Sequence, residues 1–344
     1  MKKARYFIFV IVLCIAAYFS FNLYKTFFEK NTLFIDDSVY VKIPTNSSKS
    51  QLLDSLSKYL IDIKTFEKAA SKKKYINNIK AGRYLIEKGF NNNDIINTLR
   101  SKNNPINITF NNIETINQLA GTISKQIEAD SLEILEVFLD KSFLVDLNLN
   151  DQSTFGLFIP NTYQFFWNTN AISFRDRIVK EFDNFWNDTK IKKIKKLNLN
   201  PIEVMILASI VQKETPKIDE RPTIAAVYLN RLKKRMKLQA DPTVVYTIKK
   251  RDGFDTKIRR VLYKDLRIKS PYNTYINKGL PPGPIVTPDI SAIESVINPS
   301  DHSFIFFVAD VSNPGYHLFS KTNAEHNQKK RQYTKWLRDR NIKR

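Results

Sequence analysis

The amino-acid sequence predicts an α+β protein: a single N-terminal transmembrane helix, a small α+β module and a larger α+β domain. Three observations support this prediction. An uncharged run near the N-terminus is long enough to cross a bilayer. Alternating strand patterns then interleave with amphipathic helices over 38–112. The domain over 113–344 consists mainly of helical patterns and ends in a two-stranded hairpin followed by a basic helix.

The composition is that of a folded, basic protein. The chain has 344 residues, enough for two or more domains of roughly 100–200 residues each. Its 42% apolar and 12% aromatic content suffices for packed cores and argues against a wholly disordered chain. The formal net charge of +21 permits nucleic acid, anionic lipid or another acidic polymer as partner, but does not choose among them. We expect a generally solvated basic surface.

Cysteine and histidine content argues against disulfide and metal chemistry. The single cysteine, Cys14, lies inside the first hydrophobic run, so the sequence has no disulfide framework and no cysteine metal site. His302, His317 and His326 lack the spacing of metal ligands. The sequence therefore predicts no metal, and a structural or binding role for the histidines.

The N-terminal run reads YFIFVIVLCIAAYFSFNLY and spans 6–24. Three basic residues lie in the tail 1–5, and the residues after the run carry less net charge. The positive-inside rule therefore places the tail in the cytoplasm and the remaining chain on the periplasmic or extracytoplasmic side. A cleaved signal peptide is the alternative, but no small-residue cleavage site follows the run. We predict an uncleaved anchor in the cell (inner) membrane, which argues against nucleic acid as partner.

The module over 38–112 is predicted from short periodic segments. Strand patterns occupy Ser38–Ile43, Lys80–Ile86 with Gly82 at a turn or bulge, and Ile106–Phe110. Helical patterns occupy Ser48–Leu60, Ile63–Lys73 and Asn93–Arg100, the last with Asn93 or Asp94 as cap. A ligand-binding module and a plain spacer or stability domain are both compatible with this pattern.

The first part of the domain over 113–344 is predominantly helical. Helical periodicity covers Glu114–Leu149 and breaks at Gly156–Tyr163. An aromatic cluster follows, which suits either a hydrophobic core or the apolar faces of sugars: Tyr163, Phe165, Phe166 and Trp167. The pattern at Phe174–Lys196 predicts one long basic amphipathic helix, and Thr223–Arg235 predicts another helix.

The segment NPIEVMILASIVQKET, residues 200–215, predicts a buried helix that ends in one glutamate. Asn200 is a candidate N-cap, Pro201 suits the first helical position, and Glu203 can complete a capping box. Glu214 lies in the last turn on the apolar side, where desolvation and the negative end of the helix dipole raise a carboxyl pKa. Such a glutamate suits general acid catalysis. A surface glutamate paired with Lys213 or Arg221 is the alternative.

Two polar segments downstream are predicted as site-lining loops because they are too rich in turn residues to be simple linkers. These are Leu238–Tyr246 (LQADPTVVY) and Ser270–Pro284 (SPYNTYINKGLPPGP). The end of the chain predicts strands at Ser303–Ala309 and Tyr316–Phe319. A capping box from Thr322 to Glu325 then begins a basic helix.

Several segments together resemble one family. ASIVQKET, VYLNRL, LQADPTVVY, SPYNTY, GLPPGPI, FVAD and HLFSKTNAEHN occur in that order over roughly 150–335, in a pattern similar to the YceG-like family of endolytic murein transglycosylases. KAGRYLIEKGFNNNDIINTLR resembles, more weakly, the LysM-like subdomain of that family. The resemblance implies a LysM-like module at 38–112 and a YceG-like catalytic domain at 113–344.

The resemblance also implies the chemistry. It implies a membrane-anchored lyase that cuts nascent peptidoglycan strands internally, leaves 1,6-anhydro-N-acetylmuramic acid ends and needs no cofactor. The catalytic glutamate of the family falls on Glu214, while Gln212 stands where many members have glutamate. The residues expected to bind the sugar are Asn230, Gln239, Asp241, Thr243, Tyr246, Tyr272, Asn273, Thr274, His317, His326 and Asn327. Asp241 could equally orient a loop.

Three alternatives stay open from the sequence. A hydrolysing muramidase would need a second carboxylate, for which Asp241 and Glu220 are the candidates. A non-catalytic scaffold would bind peptidoglycan and recruit peptidoglycan synthases, and synthases are also a conceivable partner of the enzyme. A nucleic-acid binder is disfavoured by the predicted topology.

Overall fold

A computed structural model describes residues 2–340 and has the predicted α+β character. Its α-helices are α1 (Lys2–Phe27), α2 (Lys49–Ser57), α3 (Ile63–Lys72), α4 (Asn92–Ser101), α5 (Ile116–Ser124), α6 (Ser131–Phe138), α7 (Lys141–Asp146), α8 (Ala171–Phe185), α9 (Asp188–Lys196), α10 (Pro201–Glu214), α11 (Arg221–Lys233), α12 (Asp241–Asp252), α13 (Ile290–Ile297) and α14 (Asn323–Asp339). Its strands are β1 (Ser38–Ile43), β2 (Gly82–Glu87), β3 (Pro105–Thr109), β4 (Thr162–Phe166), β5 (Phe306–Ala309) and β6 (His317–Ser320). They pair two by two: β1 with β2, β3 with β4, and β5 with β6.

The chain forms two compact units. The first runs to Ile108 and also contains Lys125–Ala129 and Tyr163–Asn170. The second contains Thr109–Ser124, Asp130–Thr162 and the chain from Ala171 onward.

Helix α1 contains the predicted membrane run. Lys3–Phe27 is 25 residues long with a hydropathy of 2.2, which is long and apolar enough to span a bilayer. Most of its side chains are exposed, but Thr26 is buried and Phe27 packs against the core of the first unit. The helix is consistent with a single-pass membrane anchor.

The first unit is built on the antiparallel pair β1–β2, whose register runs from Ser38 opposite Glu87 to Ile43 opposite Gly82. Alternate residues face one core, so Val41 and Tyr84 are buried there. Helices α2, α3 and α4 complete that core. The three predicted helices are confirmed, but the predicted cap of α4 is wrong. Asn91 caps α4, and Asp94 is the third helical residue, which completes the capping box.

The second unit surrounds helix α10. Every residue of Val204–Val211 is buried, and α10 packs against α11, α12 and α13. The predicted helix start is confirmed, since Asn200 and Glu203 form both hydrogen bonds of a capping box. The capping box thus fixes the residue at which α10 begins. The burial of Val204–Val211 holds the helix in place, and with it Glu214 at its carboxyl end.

Three sequence predictions in this unit are wrong. The single helix at Phe174–Lys196 is two helices, because Asn187 caps α9 and separates it from α8. The predicted loop at Leu238–Tyr246 contains the first half of α12, where Asp241 and Pro242 fit a helix start. The hairpin strands are also shorter or shifted, as β5 begins at Phe306 and β6 at His317.

Candidate functional site

Glu214 is the last residue of α10, and its side chain is partly accessible from a cavity of about 490 Å³. The hydroxyl of Tyr228, a buried residue of α11, donates a hydrogen bond to Glu214 Oε1 at 2.5 Å. This bond fixes one carboxylate oxygen. Neither Lys213 nor Arg221, the partners considered from the sequence, forms an ion pair with Glu214 in the part of the chain that the structure describes. Arg221 instead binds Asp289.

Burial, and more weakly the charge of Asp241, raise the pKa of Glu214, and the net result of all its surroundings is a pKa of about 7. The hydrogen bond from Tyr228 lowers this pKa, and so, more weakly, does the charge of Arg231. Arg231 is itself buried and donates to the carbonyls of Ile305 and Leu238. At neutral pH Glu214 is therefore present in both its protonated and its ionised form, as a group that first gives and then takes a proton must be.

The cavity around Glu214 is mixed in character. Asp241 and Tyr246 from α12 line it together with Tyr333 of α14. Its remaining lining comprises Glu114, Lys213, Pro242, Val245, Ile258, Arg259, Arg260, Val261 and Ile285. Charged and hydroxyl groups thus alternate with apolar surface, as in a site that binds a polar ligand with apolar faces.

Two further cavities adjoin it through shared residues. A cavity of about 320 Å³ shares Asp241 and Val261 and is also lined by Tyr263 and Tyr275. A cavity of about 260 Å³ shares Tyr246 and is also lined by aromatic Phe155, Phe254 and Tyr272. The Glu214 cavity therefore shares lining residues with both others, and the three together form an extended depression that suits a chain-like ligand better than a single small molecule.

The floor of this site is tied to α10 by a buried serine. Ser209 Oγ donates to the carbonyl of Ile206 within the helix and accepts the backbone N–H of Ile285 at 3.0 Å. Ile285 closes the segment GLPPGPI and lines the Glu214 cavity. In the same segment a Cβ on Gly283 would lie 2.2 Å from the carbonyl oxygen of Gln152, so only glycine fits there.

A second glutamate, Glu114, also lines the cavity. Its carboxylate accepts from Lys249 Nζ at 2.7 Å and lies 3.7 Å from Lys213 Nζ. Glu114 lies 100 residues before Glu214 in a stretch with no distinctive motif, so its position in the cavity is not evident from the sequence. Its charge is compensated by the two lysines.

Of the residues predicted to bind sugar, Asp241 and Tyr246 are the ones that line the cavity with Glu214. The hydroxyl of Tyr275 donates to Asp241 Oδ1 at 2.5 Å, so Asp241 is both accessible and oriented. Tyr246 packs against Tyr272 with ring centroids 4.6 Å apart and ring planes tilted by 42°, and both line the third cavity.

Three other predicted residues are engaged in internal bonds. Thr243 and Thr274 are buried and share a hydrogen bond of 2.8 Å between their hydroxyls. Asn273 is buried and donates to the carbonyls of Leu266 and Ile268. These residues hold the start of α12 and the loop after Ser270 in shape. The structure gives them a supporting position, and direct sugar contact stays a prediction.

The remaining predicted residues are more scattered. The backbone N–H of Gln239 donates to the Thr274 carbonyl, leaving the Gln239 side chain exposed. Asn230 donates to the carbonyls of His302 and Phe304. His317 bonds to Glu220 through both its backbone N–H and Nδ1. His326 of α14 stacks on Phe306 of β5, and the residue after His326, Asn327, is exposed. None of these five lines the Glu214 cavity in the described part of the chain.

Sequence reasoning missed the groups that surround Glu214 from other segments. The apolar pattern of α11 marks Tyr228 only as a packing residue, and its hydrogen bond to Glu214 is visible only in the fold. Arg259 and Arg260 lie in a stretch without a recognisable motif. A run of basic residues after α12 was the only available signal.

Within residues 2–340, no group of three or more histidine, cysteine, aspartate or glutamate side chains is arranged to hold a metal ion. The prediction that the protein needs no metal or cofactor stays a prediction.

Known proteins match most of the chain. The YceG-like family matches residues 41–332. An endolytic murein transglycosylase of Bacillus subtilis is 31% identical over 86% of this chain and 85% of its own length. One of Streptococcus pneumoniae is 28% identical over 84% of this chain, which spans 57% of that longer protein. A crystal structure of a YceG-like protein from Listeria monocytogenes is similar with a TM-score of 0.56 and 27% identity, covering 85% of this chain and 98% of that one.

Proposed function

Because the chain belongs to the YceG-like family, we propose that it is a lytic transglycosylase, a lyase that cleaves peptidoglycan glycan strands internally. The named relatives over most of its length support this function. The single structural observation that carries it is Glu214, a carboxyl with a pKa raised to about 7 that opens onto an extended cavity. In this proposal the products end in 1,6-anhydro-N-acetylmuramic acid, and the cut terminates strand elongation.

Glu214 supplies both proton transfers. Protonated Glu214 gives its proton to the glycosidic oxygen while the bond from that oxygen to C1 of muramic acid breaks. The 6-hydroxyl of the same sugar then forms the new bond to C1 and returns its proton to the Glu214 carboxylate, with the 2-N-acetyl group available to assist at C1. Attack by a tethered hydroxyl gains from proximity and replaces water, so a second catalytic carboxylate is not needed.

Tyr228 holds Glu214 for this task. Since Oε1 accepts the Tyr228 hydroxyl, the proton that is transferred resides on Oε2. Asp241 and the ring of Tyr246 are the proposed contacts to the sugars, because both line the cavity with Glu214. In this proposal Gln239, Tyr272 and the other residues predicted from the sequence contribute further sugar contacts around Asp241 and Tyr246.

The hydrolytic alternative finds less support. Glu220 is buried and engaged by His317, so it is a poor candidate for activating water. Glu114 is paired with Lys249. Asp241 remains the one candidate from the sequence with access to the cavity.

The first unit is proposed to anchor the enzyme and to contribute a LysM-like module at 38–112. In this proposal α1 is the anchor at 6–24, and the charge bias of the sequence puts the tail 1–5 in the cytoplasm and the domain at 113–344 outside the inner membrane. In this proposal the module takes no part in the proton transfers of Glu214. Peptidoglycan synthases are proposed as further partners through the family relationship.

Product analysis tests the reaction type. The full chain in detergent is incubated with purified glycan strands, and the ends formed are identified by mass spectrometry. A transglycosylase gives anhydro ends, each lighter by one water than a reducing end. Reducing ends would indicate a muramidase, and intact strands with retained binding would indicate a scaffold.

A further inference from the structure

One wall of the Glu214 cavity is an irregular basic segment. Residues 257–269 read KIRRVLYKDLRIK and contain six basic residues against one acidic residue. The stretch 258–261 lines the Glu214 cavity, and 261–263 lines the adjoining cavity that shares Asp241. The same short stretch therefore borders both parts of the depression and can contact a ligand lying along it.

Arg259, like Arg260, is an exposed cation of this wall at the cavity that holds Glu214. Among residues 2–340 its guanidinium forms no ion pair or hydrogen bond. The carboxylate of Glu114 in the same cavity is already compensated by Lys249 and Lys213. The cavity thus presents a cation that the protein itself does not neutralise, beside the carboxyl group proposed to do the chemistry.

We propose that Arg259 binds a carboxylate carried by the muramic acid residues of the strand, so that the enzyme selects glycan by charge as well as by sugar. This proposal rests on the proposed function. A planar guanidinium suits carboxylate because two parallel N–H bonds match its two oxygens. Val261 and Tyr263, which follow in the same stretch, offer apolar and aromatic surface for the sugar faces.

Two sources can supply the carboxylate. In a strand without peptide, muramic acid carries a free lactyl carboxylate. In a peptide-bearing strand that group is an amide, and the peptide contributes carboxylates of its own. The shared chemistry is an anion attached to the lactyl arm of muramic acid, and the two sources are separated by substrate.

The test compares four substrates: peptide-free and peptide-bearing strands, each with its carboxylates intact or converted to methylamides by carbodiimide coupling. The full chain in detergent is used as wild type, Arg259→Gln and Arg267→Gln. Arg267 is the matched control, because it is an exposed arginine of the same basic segment that lines neither cavity. Release of anhydro ends gives kcat/KM, and thermal melting shows that each variant is folded.

The wild type and Arg267→Gln should cleave intact strands about tenfold faster than amidated ones, the size expected for a lost charge-assisted hydrogen bond. Arg259→Gln should lose that preference while still producing anhydro ends. A preference confined to peptide-free strands identifies the lactyl carboxylate, and one confined to peptide-bearing strands identifies the peptide. Equal cleavage of intact and amidated strands, or an unchanged preference in Arg259→Gln, would overturn the proposal. Absence of anhydro ends with every substrate would instead contradict the proposed function.

Discussion

At the scale of single residues, the site depends on two opposing influences on one carboxyl group. Burial raises the pKa of Glu214, whereas the Tyr228 hydroxyl bonded to Oε1 lowers it, and the balance is a pKa of about 7. Without burial the group would be fully ionised at neutral pH, and without Tyr228 it would be held protonated more strongly. Tyr228 therefore positions Glu214 and tunes it at once.

Replacing Tyr228 by Phe tests this tuning. The change removes the hydrogen bond that stabilises the carboxylate, so the pKa of Glu214 should rise further. Because the acid form starts the reaction, the alkaline limb of the pH–rate profile should move to higher pH, and the maximal rate should fall roughly tenfold from lost orientation. Tyr272→Phe, at a buried tyrosine that does not bond Glu214, is the control and should keep the limb in place. An unmoved limb in the Tyr228 variant would refute the role.

The raised pKa of Glu214 also predicts how stability depends on pH. The folded protein binds this proton more tightly than the unfolded chain does, so folding stability should fall as pH rises from about 4.5 to about 7. The loss is at most about 3.5 kcal/mol, from about 1.4 kcal/mol per pKa unit. Glu214→Gln lacks this contribution. Its melting temperature relative to wild type should therefore increase between pH 5 and pH 8, and a constant difference would contradict the assignment.

At the scale of elements, α10 is a rigid support whose buried apolar stretch contains one polar residue, Ser209. Ser209 is buried within an otherwise apolar stretch and accepts the N–H of Ile285. This bond joins the helix that ends in Glu214 to the segment that lines the cavity. The contact with the segment that contains Ile285, rather than any need of the helix itself, explains why a buried serine occurs in the middle of α10.

Ser209→Ala should destabilise the protein by about 1–3 kcal/mol, because it leaves the buried N–H of Ile285 without an acceptor. Ser295→Ala is the matched control. That serine is also buried, but its hydroxyl donates to the Ala292 carbonyl within its own helix, so its loss should cost clearly less. Denaturant unfolding of both variants measures the difference. Equal losses would mean that the loop contact is not the stabilising element.

The same elements show what local sequence can predict. The start of α10 was predictable because Asn200, Pro201 and Glu203 specify it within four residues. The division between α8 and α9 was not predicted, because the apolar periodicity continues across Asn187. The capping of α9 by Asn187 is a local feature that this periodicity does not show. The first half of α12 was mistaken for a loop because polar and turn-forming residues also begin helices.

At the scale of the whole molecule, the site could be predicted only in part. Glu214 was identifiable from one segment, whereas Tyr228 reaches Glu214, and Glu114 and Arg259 reach the cavity, from segments up to 145 residues apart. Such convergence depends on tertiary packing and leaves no local pattern. For the same reason the sequence could not show that the hydroxyls of Thr243 and Thr274, two predicted sugar ligands, bond to each other in the fold.

The anchor gives a prediction for the complete chain. If α1 holds the protein in the membrane, the full chain should stay in the membrane fraction after carbonate washing, and a chain lacking residues 2–24 should be soluble. The deletion spares Phe27, which packs against the core of the first unit, so folding should persist. Circular dichroism of the shortened chain provides the control. Recovery of the full chain in the soluble fraction would contradict the anchor.

In the proposed mechanism Glu214 alone performs the proton transfers of a lytic cleavage. The most direct measurement is mass spectrometry of glycan ends after digestion by the wild type, Glu214→Gln and Glu114→Gln, the same substitution at a second glutamate of the cavity. We expect anhydro ends with the wild type and with Glu114→Gln, and none with a folded Glu214→Gln. Anhydro ends from Glu214→Gln at the wild-type rate would contradict this mechanism.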